Sequence, residues 1–274
     1  GQLISPDLVD PGQFYAGRLP PEDVLRGDFF VSEGPPGLCW TEAAMGCPIR
    51  IATGGPWADH FLSASQASSP ILPVADWLAK LDAFMDLLNT RSQERYPLTQ
   101  PLFRGPIDLM ASALGHEEAC LLLATDPDAS DAILESAADL FIDMAERRLS
   151  KTPEFLGGYL SSYGIWAPGT VVRTQADNAT MISPKTYRER VLPYDRKIAE
   201  RFDYSLIHLH SGCLHIIDDL LEVDALQCIQ VSIDYPGGPL AEDVMHILRR
   251  ILEVKPLIVT GPVYEHELDN LLSL

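Results

Sequence analysis

The sequence is poor in positive charge. Lys and Arg total 20 against 39 Asp and Glu, a formal charge of -19 at pH 7. Such a chain does not bind nucleic acid or an anionic membrane through its overall field, and an anionic substrate would need a local basic pocket. No apolar run reaches the ~18 residues of a membrane span. No basic stretch followed by an apolar one opens the sequence, so no secretion signal is visible. Cysteines are few and scattered: Cys39, Cys47, Cys120, Cys213 and Cys228. Their odd number and the absence of C-x-x-C suggest reduced thiols in a cytoplasmic protein rather than a disulfide framework. The phosphate-binding patterns G-x-G-x-x-G and G-K-[ST] are also missing, so Gly54-Gly55-Pro56 and Gly237-Gly238-Pro239 read as turns.

What the sequence does contain is apolar periodicity. Of 274 residues, 46% are hydrophobic, enough for one large core or two smaller ones. We take residues 1–274 as a single domain whose first 27 residues, rich in Pro and Gly, form an arm with a short helix near Glu22–Arg26. Trp77, Leu78, Leu81, Phe84, Leu87 and Leu88 recur at helical spacing over Ala75–Arg91. Another amphipathic helix covers Ala129–Leu149, after an N-cap and early proline at Thr125-Asp-Pro. Ser183-Pro184 opens a helix toward Phe202 that Pro193 must bend or divide. Strand candidates fall near 29–33, 49–53, 101–105, 157–163, 204–210, 228–233 and 256–260. From Asp128 onward strands and helices alternate at the spacing of βα units. The expected fold is α/β, a (β/α)8 TIM-type barrel with one strand missing or displaced.

Chemistry concentrates at Tyr204-Ser-Leu-Ile-His-Leu-His-Ser-Gly212. A buried strand ends abruptly in polar groups, and in parallel sheets the carboxyl ends of strands carry the site. His208 and His210 are two apart and share a face. Facing inward, they suit metal binding or general acid–base work, and Cys213 and His215 are near enough in sequence to complete an N/S ligand set. Facing outward, they would be packed or capping residues. Asp234, ending an apolar strand beside Tyr235, suits orienting a histidine, binding a substrate cation or capping a turn. Arg104 and Asp108 flank Gly105-Pro106, either as a substrate clamp or as an ion pair fixing the loop. Tyr159, Tyr163 and Trp166 suit enclosing a planar ligand or packing in the core. Glu33 ends the first strand candidate and is a third candidate acid.

Several segments together resemble the uroporphyrinogen decarboxylase superfamily, which includes corrinoid-dependent methyltransferases. Phe103-Arg-Gly-Pro-Ile-Asp-Leu109 is similar to its F-x-G-P-x-T-L segment. Met181-Ile-Ser-Pro-Lys-Thr-Tyr-Arg-Glu-Arg-Val-Leu-Pro-Tyr194 resembles its L-S-P-x-x-F-x-x-F-x-x-P-Y helix, the most specific of the matches. His208-Leu-His-Ser-Gly212 resembles the methyltransferase strand end H-x-C-G, and Leu257-Ile-Val-Thr-Gly-Pro262 the later Q-G-N strand. The resemblance implies a TIM-type barrel. It also implies that Arg173 and Asp177 lie in a loop that covers the site, Asp177 either as a candidate catalytic acid or as a residue serving the loop alone, and Arg173 as a substrate contact.

Two departures shape the functional expectation. The decarboxylase branch carries an arginine-rich N-terminal segment for its polycarboxylate substrate, whereas Arg18, Arg26 and Arg50 here are isolated. The methyltransferase branch binds zinc through His-x-Cys and a later cysteine. Here His210 matches the histidine, Gly212 stands where that cysteine would be, Cys213 is shifted by one, and no cysteine follows Cys228. The family's final strand is also absent by residue 274. The expectation is methyl transfer from a corrinoid or methylated donor to a thiol, with zinc at His210 and Cys213. Decarboxylation of a tetrapyrrole or smaller acid is the alternative, and a non-catalytic barrel binding a ligand or corrinoid protein a third. The resemblance is compatible with a homodimer.

Overall fold

Apolar residues at every second position make the strands of this chain, and apolar residues at helical spacing make the layer that covers them. The computed structural model describes residues 1–26 and 29–274. In chain order the principal elements are β1 (Gln2–Ile4), α1 (Trp40–Met45), β2 (Ile49–Ala52), β3 (Gly55–Ala58), α2 (Ala75–Ser92), α3 (Pro106–Leu114), α4 (His116–Thr125), α5 (Pro127–Ser150), β4 (Val171–Gln175), α6 (Leu192–Arg201), β5 (Tyr204–His210), β6 (Cys228–Ser232), α7 (Ala241–Leu252), β7 (Leu257–Thr260) and α8 (Glu265–Leu272).

The architecture is α/β, of the TIM-barrel type. β4, β5, β6 and β7 lie side by side in one parallel sheet. The sheet continues past β4 through isolated pairings. The Gln100 amide accepts from the Arg173 N–H at 2.9 Å and donates to the Arg173 carbonyl at 2.6 Å, standing in for a backbone ladder. Leu98 forms a parallel bridge with Glu33. Among the described residues no pairing joins β7 to Glu33, so the parallel array is open between them.

Each strand buries its two faces differently. Val172, Ile207, Leu209, Ile229 and Val231 join the main core under the helices. That core runs on through Trp40, Phe84, Phe103 and Phe141, whose rings meet edge to face: Trp40 with Phe84 at 5.4 Å and Phe103 with Phe141 at 5.8 Å. The inner face has an apolar floor of Val171 and Leu206 with Ala167, Tyr159, Cys228 and Ile258. Two residues further along each strand the same face turns polar. The register sets Gln175 beside His208 and His208 beside Gln230.

Several expected elements stand elsewhere. The strand at 49–52 is real but belongs to a small antiparallel sheet with β1 and β3. The expected 157–163 strand reduces to Tyr159–Leu160, paired antiparallel with Trp166–Ala167. The expected 101–105 strand is irregular, because the chain pairs earlier, at Leu98 and Thr99. Phe29–Phe30 pairs antiparallel with Leu25–Arg26 and not with the main sheet. The arm's short helix is at Pro11–Tyr15, not 22–26; its last residue, Gly27, lies outside the described residues. β4 is not among the strand candidates, yet it is a full member of the sheet.

The Ser-Pro helix divides as expected. Ser183 caps it by accepting from Thr186 N at 3.1 Å. The turn Tyr187–Val191 is then widened to i→i+5 bonding before α6 resumes at Leu192. Pro193 has no N–H to give and its ring would press on the carbonyl four residues back, so the looser turn absorbs it.

Candidate active site

The polar end of the inner face is assembled from β4, β5 and β6 and from the turn after β4. His208 is buried and His210 partly exposed, both from β5. Asp177 opens the short 3-10 turn that follows β4. Its Oδ1 lies 3.6 Å from His208 Nε2 and 3.7 Å from His210 Nε2. That oxygen is buried and has no hydrogen-bond partner.

The other nitrogen of each imidazole is committed. Gln230 Nε2 donates to Thr260 Oγ1 at 2.6 Å, and Oε1 faces His208. That Oε1 accepts from Tyr163 OH at 2.8 Å and from His208 Nδ1. A carboxamide oxygen can only accept, so His208 Nδ1 carries the proton. His210 Nδ1 donates to Asp234 Oδ1 at 2.8 Å, and Ser211 N and Oγ hold Asp234 Oδ2 at 2.9 and 3.0 Å. Two bare Nε2 lone pairs therefore face one bare carboxylate oxygen. Acceptors do not attract one another, so a cation or a donor group is the complement of this arrangement.

The surroundings favour neutral imidazole at position 208. Burial and the Arg173 guanidinium pull His208 down to about 4, against the Gln230 hydrogen bond. Burial pushes the Asp234 carboxyl up, but the hydrogen bonds from His210 and Ser211 outweigh it and hold it below the usual carboxylate range. Arg173 is itself buried, with Nη1 on Gln175 and Nε unpartnered, and burial lowers its pKa.

Asp177 is fixed from below. Its Oδ2 accepts from Arg104 Nη1 at 3.2 Å and from Gln175 Nε2 at 2.8 Å. Arg104 also binds Glu42 Oε1 at 2.9 Å. Glu42 is buried on α1 and gave no signal in the sequence beyond a single acid in a short helix. Beside Arg104 opens a cleft of about 390 Å³ whose walls include Trp57, His60, His116 and Asn178.

The remaining sequence candidates divide clearly. Tyr163 reaches the cluster through its hydroxyl, 3.3 Å from His208 Nδ1, from a backbone at φ 63°. Cys213 does not join it. Its buried thiol points to the Ala176 and Asp177 carbonyls at 3.5 and 3.4 Å, and burial with the charges of Asp177 and Asp108 pushes it up to about 12. His215 Nε2 lies 3.0 Å from the Ile182 carbonyl, away from the cluster. Glu33 is occupied by Arg91 at 2.8 Å and by Tyr96 OH. Tyr159 packs at the apolar floor, Trp166 Nε1 donates to Phe155 O at 2.8 Å, and the Tyr235 ring rests against Tyr264. Gln230 is not among the sequence candidates, and Asp108, weighed with Arg104 as a clamp or an ion pair, instead holds Gln175 and the turn of Asp177 and Asn178. Gln230, a polar side chain in mid-strand at a position facing His208's side of the sheet, was the available signal.

Residues 35–236 match the family model described as Uroporphyrinogen decarboxylase (URO-D). The chain belongs to this family. Among solved structures it is similar to a methyltransferase from Methanosarcina mazei, with 14% sequence identity and a TM-score of 0.60, over 85% of this chain and 74% of that one. At that identity the likeness speaks for the fold. No curated protein sequence matches. No helix among the described residues is long and apolar enough to cross a membrane.

Asp177, His208 and His210 each offer one ligand atom, and these lie within 4.8 Å of one another. Two imidazole nitrogens and one carboxylate oxygen, with further positions open, are a donor set that suits catalytic zinc. The same trio suits other first-row divalent ions. The residues fit a metal, but through Asp177 rather than through Cys213.

Proposed function

We propose that this URO-D family chain is a cytoplasmic enzyme acting on a small organic substrate at a metal held by Asp177, His208 and His210. The proposed reaction is methyl transfer from a corrinoid or methylated donor to a thiol. One observation carries this reading: a buried, unpartnered Asp177 Oδ1 faces two histidine Nε2 atoms whose ring partners leave them as acceptors. A zinc ion held there would supply the Lewis acidity that lowers a thiol's pKa into the neutral range.

The chain's own residues prepare that chemistry. Asp234 and Gln230 each take an Nδ1 proton and so direct the Nε2 lone pairs to a common point. Arg104 takes the far oxygen of Asp177 and leaves the near one free. Tyr163 donates to Gln230 Oε1 at 2.8 Å and so helps to hold the amide that orients His208. The five free cysteines are in keeping with a reducing compartment. A corrinoid protein as donor would meet the site at its exposed side, where His210 lies.

Metal analysis of purified protein, with zinc titration of the wild type and of His210→Ala, tests the site. One bound zinc, lost in the variant, supports it; a metal-free protein that takes up no zinc ends it. Incubation with methylcobalamin and thiols then tests the reaction. A second reading, decarboxylation of a small acid, is favoured by the buried guanidinium of Arg173 beside His208, which suits a substrate carboxylate. Release of carbon dioxide from tetrapyrrole or smaller acids, without methyl transfer, would select it.

A further inference from the structure

Asp108 is wholly buried at the third position of α3, yet its carboxylate turns away from its own helix. Its Oδ2 accepts from the Asp177 backbone N–H at 3.2 Å and from Gln175 Nε2 at 3.1 Å. Its Oδ1 accepts from the Asn178 N–H at 2.8 Å and from Asn178 Nδ2 at 3.0 Å. All four donors belong to β4 or to the turn that carries Asp177. The turn lacks a cap of its own, because the cap position is Ala176, which has no side-chain oxygen. Asp108 supplies the missing acceptor from another helix: it takes the N–H groups of the first two residues of the turn, and the second of these is one that a local Ser or Asp would have taken.

The approach this requires is built into the chain. A Cβ on Gly105 would lie 2.0 Å from the Gln175 carbonyl oxygen. Only glycine lets the start of α3 come so near the end of β4. In the F-x-G-P-x-T-L pattern that this segment resembles, threonine stands where this chain has Asp108. A second carboxylate beside Asp177 is costly. Burial and the charge of Asp177 push Asp108 above the usual carboxylate range, against the pull of Arg104 and the Asn178 hydrogen bonds.

We infer that Asp108 is the positioning residue for Asp177: by capping the turn from α3 it aims Asp177 Oδ1 at the two imidazoles and makes a three-donor metal site from a histidine pair. This rests on the metal reading above. It assigns Asp108 no contact with metal or substrate.

Zinc affinity, measured by competition against a chromophoric chelator, and the visible spectrum of the cobalt(II) form test it on the full chain. D108N keeps the size of the side chain and removes its charge. The expected result is zinc binding about 10–100-fold weaker, the usual effect of losing an outer partner of a ligand, with a changed cobalt spectrum. D177A should be weaker still, and D108N/D177A no weaker than D177A, because Asp108 acts through Asp177. A purely structural Asp108 would lower the unfolding midpoint and leave affinity unchanged. Wild-type affinity in D108N, or losses that multiply in the double variant, would overturn the inference while the metal site stands. A wild-type chain that binds neither zinc nor cobalt(II) defeats the site and the inference together. D108T, which brings a smaller side chain, is read in the same way if D108N does not fold; weaker binding supports positioning and unchanged binding opposes it.

Discussion

Asp234 divides its two oxygens between His210 and Ser211. The His210 ring is thereby held by an anion that is itself held by a backbone N–H. Replacing Asp234 with alanine should free the ring and remove the acceptor that fixes its tautomer, and zinc binding should fall roughly 10–100-fold by titration. An unchanged affinity would mean that Asp234 serves the turn alone. Asp195 offers a test away from the site. Burial pushes it up to about 7, with the Tyr187 hydrogen bond at 2.6 Å pulling the other way and the charge of Asp108 adding to the rise. The folded chain then holds this proton more tightly than the unfolded one. The stabilisation is complete below about pH 4, the ordinary aspartate range, and is lost as pH rises toward 7. Asp195→Asn should flatten that fall. Urea unfolding should show the variant gaining on wild type by a few kcal/mol between about pH 5 and about pH 8. The strand-end histidines were legible from spacing alone. Asp177, Asp108 and Glu42 are harder to place, since each is a single acid with a partner that lies more than 60 residues away in the chain.

The three strands β5, β6 and β7 were readable because their outward residues form apolar runs. β4 was not, because Val171-Val-Arg-Thr-Gln175 carries its functional side chains inside the strand and so loses the run. The stretch at 157–163 has the aromatic content of a strand, but it pairs over only two residues. Strand propensity reports a side chain that suits a pleated surface, and it gives no information on whether a partner strand is at hand. Gly105 at the head of α3 was visible as a turn, although its task is a close approach to β4. Gly105→Ala should destabilise the fold by roughly 1–3 kcal/mol, as inserted atoms do in a packed region, because the Gln175 carbonyl is backbone and cannot yield. Zinc affinity should fall with it. A variant as stable as wild type in chemical denaturation would show that α3 can withdraw.

Taken together, the chain carries far more acid than base. Its folded form works against its own repulsion, and added salt screens that repulsion over roughly 10 Å at 0.1 M. The unfolding midpoint should rise as sodium chloride is increased from low ionic strength to about 0.15 M; a falling midpoint would mean that ion pairs such as Arg190–Asp131 and Lys197–Glu135 outweigh the net charge. The overall barrel plan was legible in the βα alternation. The side sheet of β1, β2 and β3 was not, because an antiparallel hairpin and a barrel strand look alike over four residues.

The apolar floor beneath the polar layer has a consequence for size. Val171, Leu206, Cys228 and Ile258 pack together on the inner face one layer below Arg173 and His208, so the polar layer rests on a closed apolar floor. Whatever reacts must do so near the rim, where the His210 side chain is 43% exposed. On the proposed reading, the molecule swallowed has to be short, whereas the one delivering to it faces no such ceiling and can be as bulky as another folded protein.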